Sequence, residues 1–133
     1  FNLDGRIRLV DLPGYGYAKS SKTDVRAWTS LTLSFLKGRQ TLMRVFLLVD
    51  SRRGIGDADR EIMKIFNEAA VSWALVLTKG DKLKPPGLEK VASECRREVA
   101  THVASWPGIF VTSSQKTTGI DTLRAHIAGL ARP

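Results

Sequence analysis

Cysteine occurs once in this 133-residue chain, at Cys95. That excludes an internal disulfide framework and a paired-cysteine metal site, and it fits a reducing compartment. The two histidines, His102 and His126, have no cysteine, aspartate or second histidine at ligand spacing, so both read as structural. No apolar run approaches the roughly 18–20 residues that a membrane-spanning helix needs. The first residues, Phe1 to Arg6, have neither the basic start nor the apolar stretch of a signal peptide. The chain opens on Phe1 rather than Met and so reads as lacking its beginning. Acidic residues are scarce: 13 Asp and Glu stand against 21 Lys and Arg, leaving a net charge of +8 and an isoelectric point near 10.1. That surplus favours a polyanionic partner, nucleic acid first and an anionic membrane surface second. Repeats, low-complexity tracts and Pro/Gly/Ser-rich linkers are also missing, so residues 1–133 read as one domain. What is present is ordinary globular material, 43% hydrophobic and 26% charged, which argues against disorder.

Short apolar runs alternate with helical periods, the pattern of βαβ units and a mostly parallel sheet. Arg6 to Val10 reads as a strand ending at Asp11, and Asp4-Gly5 before it signals a hairpin with Phe1 to Leu3. Val25, Trp28, Leu31, Thr32, Phe35 and Leu36 keep helical spacing up to Gly38. Val45 to Val49 is a continuous apolar run ending in Asp50, as suits a strand covered on both faces. Ile62, Ile65, Phe66 and Ala69 mark a helix. Trp73 to Leu77 is a buried strand ending at Thr78. Leu88, Val91, Ala92, Cys95, Val99 and Val103 line a further helix, with Pro85-Pro86 ahead of it. Ile109 to Val111 is a last short strand, and Ile120, Leu123, Ile127 and Leu130 make a closing helix.

In open α/β sheets, ligands bind outside the carboxyl ends of the strands, and polar residues gather there in this chain. The first group is Asp11-Leu12-Pro13-Gly14. An aspartate at a strand end can hold Mg²⁺ through water, and a glycine three residues on lets a backbone N–H approach a phosphate. Alone, this is equally a Pro-Gly turn. The second group is Thr78-Lys79-Gly80-Asp81-Lys82. A carboxylate facing a guanine edge accepts from N1–H and the exocyclic amine together, a donor pair that adenine lacks. Alone, this is equally a solvated loop of mixed charge. The third is Thr112-Ser113-Ser114, small residues that let backbone N–H groups reach a base carbonyl but that are ordinary in any loop. In this order, each after an apolar strand, the three form the series of a translation-factor-related GTPase.

Asp11-Leu-Pro-Gly-Tyr-Gly-Tyr-Ala18, Asp50-Ser-Arg-Arg-Gly54, Thr78-Lys-Gly-Asp-Lys82 and Thr112-Ser-Ser114 together resemble the EngB (YihA/YsxC-type) family of bacterial GTPases. The Asp11–Ala18 run is the most specific, and the resemblance covers essentially the whole chain. It implies a P-loop GTPase α/β fold, a cytoplasmic protein without membrane attachment, a monomer, and a role in assembling the large ribosomal subunit with links to cell division and septation. It further implies GTP and GDP as ligands and Mg²⁺ as cofactor. Carried over by position, Asp11 lies near Mg²⁺, Gly14 near the γ-phosphate, Lys79 and Asp81 at the guanine, and Ser113 and Ser114 present backbone to the base carbonyl.

Two departures accompany the resemblance. No GxxxxGK[ST] segment occurs, so the diphosphate cradle, its magnesium-binding Ser or Thr, the switch Thr and the family's first strand are not in the sequence. The chain therefore reads as a fragment that lacks its amino-terminal part and the middle strand of its sheet. Gly80 also stands where the family usually has Ala, and it is expected to keep the loop open with little effect.

No catalytic residue is assigned. Many small GTPases follow DxxG with a Gln that orients water, whereas Tyr15 stands here, so hydrolysis is expected to be slow without a partner. Gly14 and Tyr15, within Gly14–Lys19, are the switch candidates. Tyr15 and Tyr17 read either as groups that repack or stack on RNA, or as cover for the core edge. Among the basic residues, Arg52 and Arg53 at a strand end are better candidates for ribosomal RNA phosphates than Arg96 and Arg97 within a helix. The second reading is an RNA- or ribosome-binding module in which nucleotide is structural or is not bound.

Overall fold

In the computed structural model, residues 2–3, 5–10, 12, 22–37 and 42–130 are described. The apolar run Trp73–Thr78 forms strand β4, and its first five residues are all buried because strands flank it on both edges and helices cover both faces. The elements before it are β1 (Asn2–Leu3), β2 (Ile7–Arg8), α1 (Lys22–Lys37), β3 (Val45–Asp50) and α2 (Asp57–Glu68). After it come a single 3₁₀ turn (Gly80–Lys82), α3 (Pro85–Val99), β5 (Ser105–Val111) and α4 (Ile120–Leu130).

The three longer strands lie in the order β3-β4-β5, all parallel, with Asp50 opposite Thr78 and Leu77 opposite Val111. The expected hairpin is present as the antiparallel pair β1-β2, and the ladder on that side covers only Ile7–Arg8. Among the described residues the two sheets are not joined.

One face of the parallel sheet (Leu47, Val49, Trp73, Leu75, Leu77) packs on Ile62, Met63 and Phe66 of α2 and on Ala92, Cys95 and Val99 of α3. Leu36 of α1 joins the same cluster. The other face presents Ala74, Val76 and Phe110, with Phe46, Trp106 and Leu123 of α4 packed against them. Both faces are therefore covered, as the unbroken apolar runs require. Trp73 is wholly buried, and its indole N–H donates to Asn67 Oδ1 at 3.1 Å.

Local chemistry sets the helix ends. The Asp59 carboxylate reaches back to accept the Gly56 N–H at 2.8 Å, which caps α2. Pro85 and Pro86 occupy the first two positions of α3 rather than preceding it, because a first-turn N–H has no helical partner to lose. The same helix stops at Val99 and does not extend to Val103, which is 92% exposed. Thr101 and His102 turn the chain there, and Asn67 Oδ1 accepts the Ala104 N–H at 3.2 Å to direct it into β5. Strand β5 starts four residues before Ile109, with an irregularity opposite Trp73–Leu75 that takes up Pro107 and Gly108. No helix among the described residues is long and apolar enough to cross a membrane.

Candidate functional site

Parallel strands share polarity, so β3, β4 and β5 deliver the residues after Asp50, Thr78 and Val111 to one edge of the sheet. Backbone and hydroxyl bonds stitch the three ends together. Thr78 carbonyl accepts both the N–H (2.9 Å) and the hydroxyl (2.5 Å) of Ser51, a fully buried residue. Leu77 carbonyl accepts the N–H (2.8 Å) and the hydroxyl (3.0 Å) of Thr112. Gly80 N–H donates to Thr112 carbonyl at 3.0 Å. Gly80 is thus buried rather than holding the loop open, and a methyl group there would sit 3.3 Å from that carbonyl.

Lys79 takes a left-handed backbone conformation (φ 56°), which turns the chain sharply into the 3₁₀ segment. The reversal aims Asp81 back at the β5 loop, where its side chain is only 8% exposed. Ser113 hydroxyl donates to Asp81 Oδ1 at 2.6 Å and itself accepts the Lys116 N–H at 3.1 Å. This bond, first among several causes, holds the Asp81 carboxyl below the usual carboxylate range. The other carboxylate oxygen lies 3.9 Å from Lys82 Nζ. Each carboxylate oxygen has two acceptor positions, so Asp81 keeps capacity for further donors.

Asp50 stands beside this pair. It accepts the Arg52 N–H (2.9 Å) and Nε–H (3.1 Å) on one oxygen and Arg52 Nη2–H (2.7 Å) on the other, and Lys79 Nζ lies 3.8 Å away. The hydrogen bond from the Arg52 guanidinium, chiefly, holds its carboxyl down at about 2.

The structure brings Thr78, Lys79, Gly80, Asp81, Thr112 and Ser113 together, with Ser114 next to them and exposed. One expectation changes: Ser113 N–H is engaged by Thr118 carbonyl at 3.0 Å. Of the two serines, Ser113 thus has its N–H taken and turns its hydroxyl to Asp81. Leu12 packs against the larger core cluster. Asp11, Pro13, Gly14 and Tyr15 lie outside the described residues. The part played by Asp50 was missed in the sequence, although a strand-end aspartate in register with Thr78 was the available signal. The Ser113 hydroxyl had no sequence signal, since its partner is set by the fold. His102 and His126 lie away from the site. His102 bonds Asn67, and His126 takes Arg44 as a partner among Phe46, Trp106 and Phe110.

No family model matches the chain. The probable GTP-binding protein EngB of Rhodospirillum rubrum is 50% identical over 130 residues, covering 98% of this chain and 56% of that protein. The protein of the same name from Chelativorans is 47% identical over 119 residues, and that from Bradyrhizobium diazoefficiens 45% over 132. They are matched over 53% and 61% of their own lengths, so the chain spans little more than half of these relatives. Among solved structures, apo translation elongation factor SelB from Methanococcus maripaludis superposes with a TM-score of 0.68 over 91% of this chain and 24% of that one, at 17% identity. The same factor with the GTP analogue GppNHp gives 0.62 over 79% of the chain. The fold is therefore the α/β fold of the P-loop GTPases, in part.

Proposed function

The chain belongs with the EngB GTP-binding proteins by sequence, and on that premise we propose that its polar strand ends bind GTP and GDP by the guanine base. The observation that carries this is Asp81: a nearly buried carboxylate, oriented by the Ser113 hydroxyl at 2.6 Å, at the carboxyl edge of a parallel sheet. Asp81 accepts from guanine N1–H and its amine together, and adenine, which lacks that pair, leaves the carboxylate unpaired. The Lys79 stem lies along the base plane, Ser114 N–H meets the base carbonyl, and Thr78, Gly80, Thr112 and Ser113 hold these groups in place.

The reaction proposed is slow hydrolysis of GTP to GDP and phosphate by in-line attack of water, with Asp11, Leu12, Pro13 and Gly14 on the phosphate side. Mg²⁺ would neutralise phosphate charge there, held through water by Asp11. Among the described residues no group of three or more His, Cys, Asp or Glu side chains is placed to hold a metal ion.

The wider role is that of a nucleotide-dependent switch in large ribosomal subunit assembly, tied to cell division and septation, acting in the cytoplasm as a monomer. The family resemblance supports this role, and the +8 charge suits the RNA of the subunit precursor. The same charge suits the alternative, a ribosome- or RNA-binding module in which nucleotide is only structural or is not bound.

A fluorescent-GDP titration of the intact protein with competitors tests the reading. Displacement by GTP and not by ATP is expected, and absence of binding contradicts it. Affinity for the subunit precursor should fall steeply with salt if phosphate contacts carry it. A flat salt response contradicts that part.

A further inference from the structure

Asp50 and Arg52 lie outside the residues that read the base, yet they border them. Asp50 is the register partner of Thr78, so Arg52 follows the end of β3 at the same sheet edge where Asp81 follows the end of β4. Ser51, fully buried and bonded twice to Thr78 carbonyl, ties the two loops at a fixed spacing. Two cations lie at this edge with the base-reading carboxylate. Arg52 is 49% exposed and Lys79 is 58% exposed, so their ion pairs with Asp50, rather than packing, position them. The hydrogen bond to Asp50, chiefly, holds the Arg52 guanidinium above its ordinary value, with the Asp81 charge as the smallest cause.

An arginine released here has an obvious alternative partner. A guanidinium forks onto a carboxylate through two N–H groups, the same two-donor pattern that a guanine edge offers. Paired with Asp81, it would fill the acceptor positions that the base needs. In this structure Arg52 is taken up by Asp50 instead: both Asp50 oxygens accept from Arg52, at 2.7–3.1 Å, and Lys79 Nζ lies 3.8 Å away.

We propose that Asp50 is a positioning residue of the guanine pocket, a second carboxylate that holds Arg52 and Lys79 and so keeps Asp81 open to the base. The inference rests on the guanine-pocket reading above. It makes Asp50 necessary for affinity without touching nucleotide, and it makes Arg52 harmful once Asp50 is gone.

The experiment is a fluorescent-GDP titration of the intact protein as wild type, Asp50→Asn and Asp50→Asn/Arg52→Ala, at about 50 mM and about 500 mM salt, with thermal midpoints recorded in parallel. Asp50→Asn should weaken GDP binding about tenfold relative to wild type at the lower salt. The deficit should shrink at the higher salt, because screening weakens a cation on Asp81. Removing Arg52 from the Asp50→Asn protein should restore affinity to within about twofold of wild type. A merely structural role for Asp50 would not be rescued by deleting its partner. An undiminished Asp50→Asn protein, or a deficit indifferent to both salt and Arg52, overturns the inference while wild-type binding stands. Wild-type protein that fails to bind GDP overturns the pocket reading and this inference together.

Discussion

Ser113 uses one hydroxyl twice, donating to Asp81 and accepting from Lys116 N–H, and its own backbone N–H is spent on Thr118. Ser113→Ala should leave both a carboxylate oxygen and a backbone donor short of a partner. We expect GDP affinity to fall about tenfold and the preference for guanine over adenine nucleotides to narrow, read by competition titration. Unchanged discrimination would mean that Asp81 does not need this support. Asp50 supplies a pH signature at the same scale. Its folded carboxyl is depressed to about 2, so its pairing is fully present above the unfolded value near 4 and is lost as pH falls through that window. The thermal-midpoint gap between wild type and Asp50→Asn should hold at about pH 5 and close as pH approaches about 2. Asp81 was legible in the sequence because an apolar strand ends directly before Thr78-Lys-Gly-Asp. The Ser113 hydroxyl was not, because serine is common in loops and the partner comes from another strand end.

The link between β5 and α4 is the element on which the site depends most. Gly119 (φ 73°) carries the chain past Val111, and a Cβ there would fall 2.0 Å from Val111 carbonyl oxygen. Next to it, Thr118 carbonyl accepts the Ser113 N–H at 3.0 Å. Gly119→Ala therefore combines a disfavoured backbone conformation with a backbone clash and should cost about 2 kcal/mol or more, seen in chemical denaturation. A neutral result would mean that the loop has room to move. Elements with continuous apolar runs, β3 and β4, could be read from sequence with their boundaries nearly right. Boundaries set by tertiary contacts could not. Val103 continues the apolar period of α3, but Asn67 and His102 turn the chain earlier. Pro107 and Gly108 interrupt the pattern of β5, although the strand runs through them with a break in register.

At the scale of the molecule, function depends on strand polarity. The groups after β4 and β5, which mean little singly, meet each other and the Asp50 loop because β3, β4 and β5 all run the same way and end at the same edge. The α/β class was legible because apolar runs alternate with helical periods. The division of the described strands into a hairpin and a three-stranded sheet rests on pairing, which no local pattern encodes. Asp11 and Gly14, proposed for the phosphate side, lie outside the described residues. The most direct test is the ratio of GDP to xanthosine diphosphate affinity in the intact protein before and after Asp81→Asn. An amide presents a donor where the carboxylate accepted, so the preference should swing toward xanthine by about 100-fold or more. Guanine preference that survives the change would contradict the assignment of Asp81, and with it the account of the site.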